Sequence, residues 1–336
     1  MKKKIIFGTL AILFLIAGFI VWRFLGPTVH VPEKKYFYIR TGETYKAVKE
    51  NLDEKKIISG ETWFDWTSKM IGYKNIKPGR YEIKKGMSLF GLVRMLRNGQ
   101  QSPVNFVITK IRTKEALASR IGNVFECDSL QMINFLNSSD SLKEYGLDTN
   151  TVMAAAMPFT YTVKWNMTAG KIFQQFYTAY KTFWTAERKQ KADNLGISPI
   201  QASTLASIID EETNSKTDKP NVASVYLNRM AKGMPLQADP TLKFALKNFA
   251  LERIYDTHKK TVSPYNTYMN KGLPPGPICT PQVETIDAVL DSPKTDYLYF
   301  VANSSFDGTH TFTTNYADHM KYARLYHQEL NKRKIK

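Results

Sequence analysis

Ser198-Pro199-Ile200-Gln201-Ala202-Ser203-Thr204-Leu205-Ala206-Ser207-Ile208-Ile209-Asp210-Glu211-Glu212-Thr213 is the stretch on which the reading of this chain turns. Serine ahead of proline is a helix start. The hydroxyl can accept from an early backbone N–H, and proline suits the first helical position, where no N–H is needed. Leu205, Ile208 and Ile209 then stand at i, i+3 and i+4 and define an apolar stripe. The next position on that stripe is Glu212. At 3.6 residues per turn, Glu212 falls within about 20° of Leu205, while Asp210 and Glu211 point roughly 140° and 120° away. Burial favours the neutral form of a carboxyl group and lifts its pKa above the ordinary value of about 4.3. A general acid working near neutral pH needs that behaviour. The competing reading ends the helix one turn early and leaves all three acids solvated.

Downstream, Pro220 to Ala231 predicts a second helix, with Ala223, Tyr226, Leu227 and Met230 on one face and Gly233 as its stop. Proline-stiffened loops follow at 233–241, 263–268 and 272–278, rich in amides, hydroxyls and aromatic rings. That mixture suits sugar recognition, and it also suits any ordered loop. Tyr297 to Ala302 reads as a buried strand, Asp307-Gly308 as a turn, and Thr309 to Thr313 as the returning strand, with His310 and Phe312 on one side. A basic helix from Asn315 to Lys334 closes the domain.

Upstream, Ile172, Phe173, Phe176, Tyr177 and Tyr180 form an aromatic stripe on a long helix that starts after Thr168. It runs through the charged stretch Glu187 to Lys191 and stops near Gly196; core packing is the preferred role of that stripe. The segment from Pro103 to about Tyr161 shows no decisive pattern. Closer to the N-terminus, Tyr38 to Thr44 and Tyr81 to Ser88 form a weak internal repeat. Each has an Ile three residues before a Gly, then a Thr or Ser able to cap a helix. The helical patterns that follow are Tyr45, Val48 and Leu52, and then Leu89, Leu92, Val93 and Leu96. This strand, glycine turn and helix looks like the opening of a LysM module, a small glycan-binding fold, though a plain structural subdomain has the same construction.

Lys2, Lys3 and Lys4 precede an uncharged run from Ile5 to Trp22, followed by Arg23. Such a run spans roughly 30 Å of hydrocarbon, and lysines ahead of it place the rest of the chain outside the cytoplasm. A retained anchor is preferred to a cleaved signal peptide, because the core is long and no A-x-A site follows. The formal charge of +17 over 336 residues suits nucleic acid, anionic lipid or a carboxylate-bearing polymer, or serves solubility alone. Nucleic acid fits the charge but not the exported topology. Cys127 and Cys279 are the only cysteines and lie in no CxxC pair, so neither a disulfide framework nor a zinc–thiolate site is expected. There is no GxSxG, GxGxxG, P-loop or HExxH motif. No metal and no cofactor are expected.

Seven ordered segments carry a resemblance: Ala206 to Thr213, Val222 to Arg229, Leu236 to Thr241, Tyr265 to Tyr268, Gly272 to Ile278, Tyr297 to Val301, and His310 to Phe312. In order and spacing they resemble the MltG (YceG-like) endolytic murein transglycosylases, most strongly over residues 200 to 320. The resemblance implies a lytic transglycosylase that cuts within nascent peptidoglycan strands and leaves 1,6-anhydro-muramic ends. Its catalytic glutamate, the one followed by Thr or Ser, carries over to Glu212. Gln237, Asp239, Tyr265, Asn266 and His310 are the candidates for positioning the sugar. Two departures stand out. The family usually has Glu-Lys-Glu where this chain has Asp210-Glu211-Glu212, and it tends to place Asp or Asn where Phe159 stands. The expected partners are glycan strands and the membrane, with peptidoglycan synthases as candidates. The rival readings are a muramidase acting on the same bond with water and a non-catalytic wall-binding scaffold.

The expected fold class is α+β, in six parts. A cytoplasmic tail occupies 1–4, a transmembrane helix 5–25 and a linker 26–35. A LysM-like subdomain at 36–110 is followed by a mixed connecting region at 111–195 and the catalytic domain at 196–334. The protein is expected at the bacterial cytoplasmic (inner) membrane, single-pass, with its catalytic domain on the periplasmic side.

Overall fold

The computed structural model describes residues 2–333, a mixed α+β chain that divides into two compact units. The first unit holds the residues up to Asn105, together with Val124–Cys127 and Thr162–Thr168. It opens with helix α1 (Lys2–Leu25), which is long and apolar enough to cross a membrane and has none of its apolar span buried in the protein. Strand β1 (Tyr36–Ile39), helices α2 (Tyr45–Glu54) and α3 (Glu61–Ile71), strand β2 (Gly79–Glu82) and helix α4 (Leu89–Asn98) follow. β1 and β2 pair antiparallel with Phe37 opposite Tyr81. Their alternate residues are buried, as a sheet covered on one face requires. The two expected caps are in place: Thr44 accepts from the Ala47 N–H at 3.3 Å and Ser88 from the Gly91 N–H at 3.1 Å. Val48 and Leu52 of α2 and Leu92, Val93 and Leu96 of α4 join Phe37, Ile39, Phe64 and Tyr81 in one core.

The connecting stretch without decisive pattern resolves into short elements. These are strand β3 (Val104–Val107), helices α5 (Lys114–Gly122), α6 (Ser129–Leu136) and α7 (Ser139–Lys143), a 3-10 turn (Val152–Ala155), and strand β4 (Thr160–Val163), which pairs with β3. The aromatic stripe lies on α8 (Ala169–Phe183), where Ile172, Phe173, Phe176 and Tyr180 are buried. The single long helix expected here is two helices. α8 stops at Phe183, and α9 (Ala186–Asn194) begins afresh because Thr185 takes an extended conformation and caps the Arg188 N–H at 3.3 Å.

Helix α10 (Pro199–Glu212) has the expected bounds. Ser198 and Gln201 form a reciprocal capping box, Gln201 N–H to Ser198 Oγ at 3.2 Å and Ser198 N–H to Gln201 Oε1 at 2.8 Å. Leu205, Ile208 and Ile209 are fully buried, but so are Ala202, Ala206 and Ser207. The apolar stripe is therefore only part of the covered surface: alanines and serines let neighbours approach the other faces closely. Those neighbours are α11 (Lys219–Ala231), α12 (Asp239–Ala245) and α14 (Val283–Leu290). Between the last two lies the short helix α13 (Asp256–Lys259). Strands β5 (Tyr299–Ala302) and β6 (His310–Thr313) form the expected hairpin, with Phe300 opposite Phe312, though β5 is half-buried rather than buried. Helix α15 (Tyr316–Lys332) starts at its cap Asn315; the expected end at Lys334 lies outside the described residues. Cys127 and Cys279 are buried thiols.

The loop before α14 is laced to two other segments. The Ile278 N–H donates to Ser207 Oγ on α10 at 3.0 Å, and Thr280 exchanges bonds with Ile111 (2.8 Å each way) while its hydroxyl donates to the Thr109 carbonyl. Gly276 sits where backbone meets backbone: a Cβ there would lie 2.0 Å from the Asn150 carbonyl oxygen. Gly276→Ala is expected to destabilise the chain by about 2–4 kcal/mol, since neither strand of backbone can yield without loosening the clasp on α10. Chemical denaturation checks this, and an unchanged midpoint would contradict it.

Candidate active site

Glu212 is the last residue of α10, where unpaired carbonyls concentrate negative partial charge and already disfavour a carboxylate. Its side chain is half-buried and opens onto two cavities. Burial is the main force on the group and pushes its pKa up to about 7. The Tyr226 hydroxyl, donating to Oε1 at 2.8 Å, works against that rise, the nearby Asp239 charge adds to it, and Lys243 opposes it. Tyr226 itself is 1% exposed, so its hydroxyl is fixed between α11 and the end of α10.

The two neighbouring acids point away from the apolar stripe as expected, yet neither is left in water. Asp210 accepts from the Gln282 N–H, the Thr285 hydroxyl and the Lys219 ammonium, each at 2.5 Å. It thus caps the start of α14 from another helix and ties α11 to both. Glu211 meets Arg112 through two bonds, Nε–Oε1 at 3.0 Å and Nη2–Oε2 at 2.9 Å, and Lys110 at 2.9 Å. Burial opposes the charge on Glu211, but these bonds prevail and hold its pKa below the ordinary value. Glu211 is thus clasped by two cations, from residues 110 and 112.

Three cavities follow one another along this surface. The first, of about 280 Å³, is lined by Glu212, Tyr226, Arg229, Gln237, Asp239, Tyr268 and His319 among others. The second, of about 270 Å³, shares Glu212 and Asp239 with it and adds Arg112, Lys243, Phe244 and Ile278. A third, of about 220 Å³, shares Arg112 and Phe244 with the second and reaches Lys114, Asn150 and Tyr265. Glu212 therefore stands within a track of polar and aromatic side chains, with room on either side.

Of the residues singled out in the sequence, Gln237 and Asp239 line the cavities beside Glu212, and Tyr265 lines the third, its ring 4.7 Å from that of Phe244. Asp239 accepts from the Tyr268 hydroxyl at 2.5 Å. Asn266 is fully buried. Its amide donates to the carbonyls of Lys259 (2.8 Å) and Thr261 (2.7 Å), and its oxygen accepts from the Tyr268 N–H (2.9 Å), so it holds the loop that carries Tyr265 and Tyr268. His310 does not line these three cavities; its Nδ1 meets Asp218 at 2.9 Å, ahead of α11. Phe159 packs on Phe183, with ring centres 6.4 Å apart. Sequence reasoning missed Tyr226, Arg229, Lys243 and Arg112 as site residues. Tyr226 was findable: a phenol on the inner face of a helix needs a partner for its O–H, and a carboxyl group aimed into the same core is one.

A family model described as the YceG-like family matches residues 37–325. The chain is 29% identical over 315 residues to the endolytic murein transglycosylase of Bacillus subtilis (strain 168), covering 88% of this chain and 85% of that one. It is 26% identical over 324 residues to the endolytic murein transglycosylase of Streptococcus pneumoniae serotype 2 (strain D39), covering 87% of this chain and 57% of that one. The crystal structure of a YceG-like protein from Listeria monocytogenes superposes with a TM-score of 0.57 at 28% identity, over 86% of this chain and 99% of the other. With matched residues running from the first strand into the final helix, on both sides of the Glu212 track, the chain belongs to the YceG-like family.

Proposed function

We propose that this protein is an endolytic peptidoglycan lytic transglycosylase, with Glu212 as general acid and then base. The observation that carries this is a carboxyl group that holds its proton up to about pH 7 while facing a track with space on both sides. Family membership and the names of the relatives support it. Protonated Glu212 donates to the glycosidic oxygen between muramic acid and glucosamine as that bond breaks. The resulting carboxylate takes the proton of the muramic C6 hydroxyl while the C6 oxygen attacks C1, closing the 1,6-anhydro ring. No water is consumed, and Glu212 ends protonated as it began. Glycosidases that use water need two carboxyl groups. Asp239 is a second one on the cavity wall, tied to Tyr268, so the muramidase reading is separated by product mass rather than by geometry.

Tyr226 positions the acid, Gln237, Asp239 and Tyr265 contact the glycan, and Asn266 and His310 act through the loops and helix start they hold. The chain is anchored by α1 in the cytoplasmic membrane with the remainder outside, and peptidoglycan synthases are the natural partners. Residues 36–110 serve as a LysM-like glycan-binding subdomain, supported by the two capped-helix units, with 111–195 connecting it to the catalytic part from 196 onward.

Replacing Glu212 by Gln is expected to cut release of anhydro-ended products from peptidoglycan by about 10³-fold or more; mass spectrometry reads this, and products heavier by one water from the wild type would favour the muramidase. The raised pKa also sets a sign for stability. Between the ordinary carboxyl pKa and about 7, the folded chain holds a proton that the unfolded chain has lost, so stability falls as pH rises through that window. Glu212→Gln should therefore be the more stable protein near pH 8, by about 2 kcal/mol after allowance for the solvent in the cavity, and nearly equal to wild type near pH 4. Activity should fall on the basic side with a midpoint at about 7. Tyr226→Phe, which removes the one bond favouring the ionised form, should move that midpoint upward by about one unit. A midpoint that stays put or moves down would exclude Tyr226 as the group that tunes the acid.

A further inference from the structure

Arg229 lines the first cavity although only 8% of it is exposed. Its Nε donates to the Leu298 carbonyl at 2.7 Å, and its Nη1 to the carbonyls of Leu236 (2.8 Å) and Pro235 (3.3 Å) and to Gln237 Oε1 at 3.5 Å. Every one of these acceptors is neutral, and the guanidinium carbon lies 5.1 Å above the Tyr299 ring. Among the described residues no carboxylate comes within ion-pair distance of Arg229, and Nη2 takes no part in these bonds. Arg112 and Arg188 differ: each is held by two bonds to a carboxylate, Glu211 and Asp287. A largely buried cation without an anion is costly and marks a place where an anion is expected.

Two further features meet at the same cavity. His319 lines it, with its ring stacked on Tyr299 at 5.3 Å, and its Nδ1 is buried without a hydrogen-bond partner. Gln237 is held at a φ of 55°, a left-handed conformation that a side-chain-bearing residue keeps at some cost. Arg229, His319 and the backbone-strained Gln237 all line the cavity that Glu212 also lines.

We propose that this cavity seats a carboxylate of the glycan substrate, with Arg229 as its counter-charge and His319 and Gln237 as additional polar contacts. The assignment rests on the reading of Glu212 as the acid, and it adds a direction. In a strand of alternating glucosamine and muramic acid, only the muramic residue carries the carboxyl-bearing ether and its peptide. The Arg229 cavity then holds the muramic residue whose C1 is released, and the Arg112 cavity holds the glucosamine on the leaving side. Two sources share the chemistry: the lactyl carboxylate of a peptide-free strand, and a carboxylate of the stem peptide, whose attachment converts the lactyl group to an amide.

The test measures binding by the full-length Glu212→Gln protein in detergent, which bypasses cleavage. Four short glycans serve as probes: peptide-free with free lactyl carboxylates, the same strand with those carboxylates converted to methylamides, peptide-bearing with free stem carboxylates, and peptide-bearing with the stem carboxylates amidated. Neutralisation is expected to weaken binding at least about tenfold in one pair, and the pair that responds names the source. Adding Arg229→Lys, which keeps the charge but loses the fork, should shrink that discrimination to about threefold or less. Equal affinity for charged and neutral probes in both pairs would overturn the proposal, as would full discrimination retained in Arg229→Lys. If the lysine variant does not fold, the four probes on the Glu212→Gln protein alone decide. Release of anhydro ends by the wild type is a separate readout, so the proposed reaction can stand or fall independently.

Discussion

The carboxylate of Asp210 holds the ends of three helices together. It is nearly fully buried and receives three donors, one from the backbone at the start of α14, one from the Thr285 side chain and one from Lys219 on α11. A buried charge is tolerated only when its lone pairs are satisfied and a counter-ion is close. Asp210 has both, and in meeting that demand it fixes three helix ends around one point. Two residues later the chain reaches Glu212, which has the opposite environment: one phenolic donor, an acidic neighbour and, among the described residues, no ion pair. Adjacent acids on one helix end are thereby driven to different protonation behaviour, Glu211 held ionised between two cations and Glu212 still about half protonated near pH 7.

Much of this was readable before any coordinates. The start of α10 followed from Ser198-Pro199, the inward aim of Glu212 from the spacing of Leu205, Ile208 and Ile209, and the two N-terminal helix starts from Thr44 and Ser88. These are local signals, set within a turn or two of chain. The break between α8 and α9 escaped because the amphipathic period runs up to Phe183 and Thr185 is an unremarkable residue until its conformation is known. Between residues 103 and 161 the elements are four to nine residues long, too short for periodicity to accumulate.

What sequence could not supply were meetings across long separations. Arg112 reaches Glu211 over 99 residues, and Thr280 reaches Thr109 over 171. Nothing in the spacing of either pair announces it. The burial of Asp210 was hidden for a related reason: a helix dressed in alanine and serine on its polar-looking faces is open to close packing, and hydropathy alone scores those faces as wet. His310 shows the converse. A histidine that stands out in a motif is placed by the fold against Asp218, at the start of the helix carrying Tyr226, rather than in the track itself.

Cys279 stands next to the Ile278 that lines the second cavity, and its sulfur rests 3.5 Å from the Ser207 carbonyl with no exposed surface. Burial pushes its thiol well above the usual range, so it stays in the protonated form that exchanges slowly with disulfides. Its packing against α10 also leaves an oxidant or a metal ion no approach that does not first open the helix. Once folded, the chain shields this thiol from disulfide donors and keeps a soft sulfur as filler where a slightly larger side chain would prise the cavity wall from its helix.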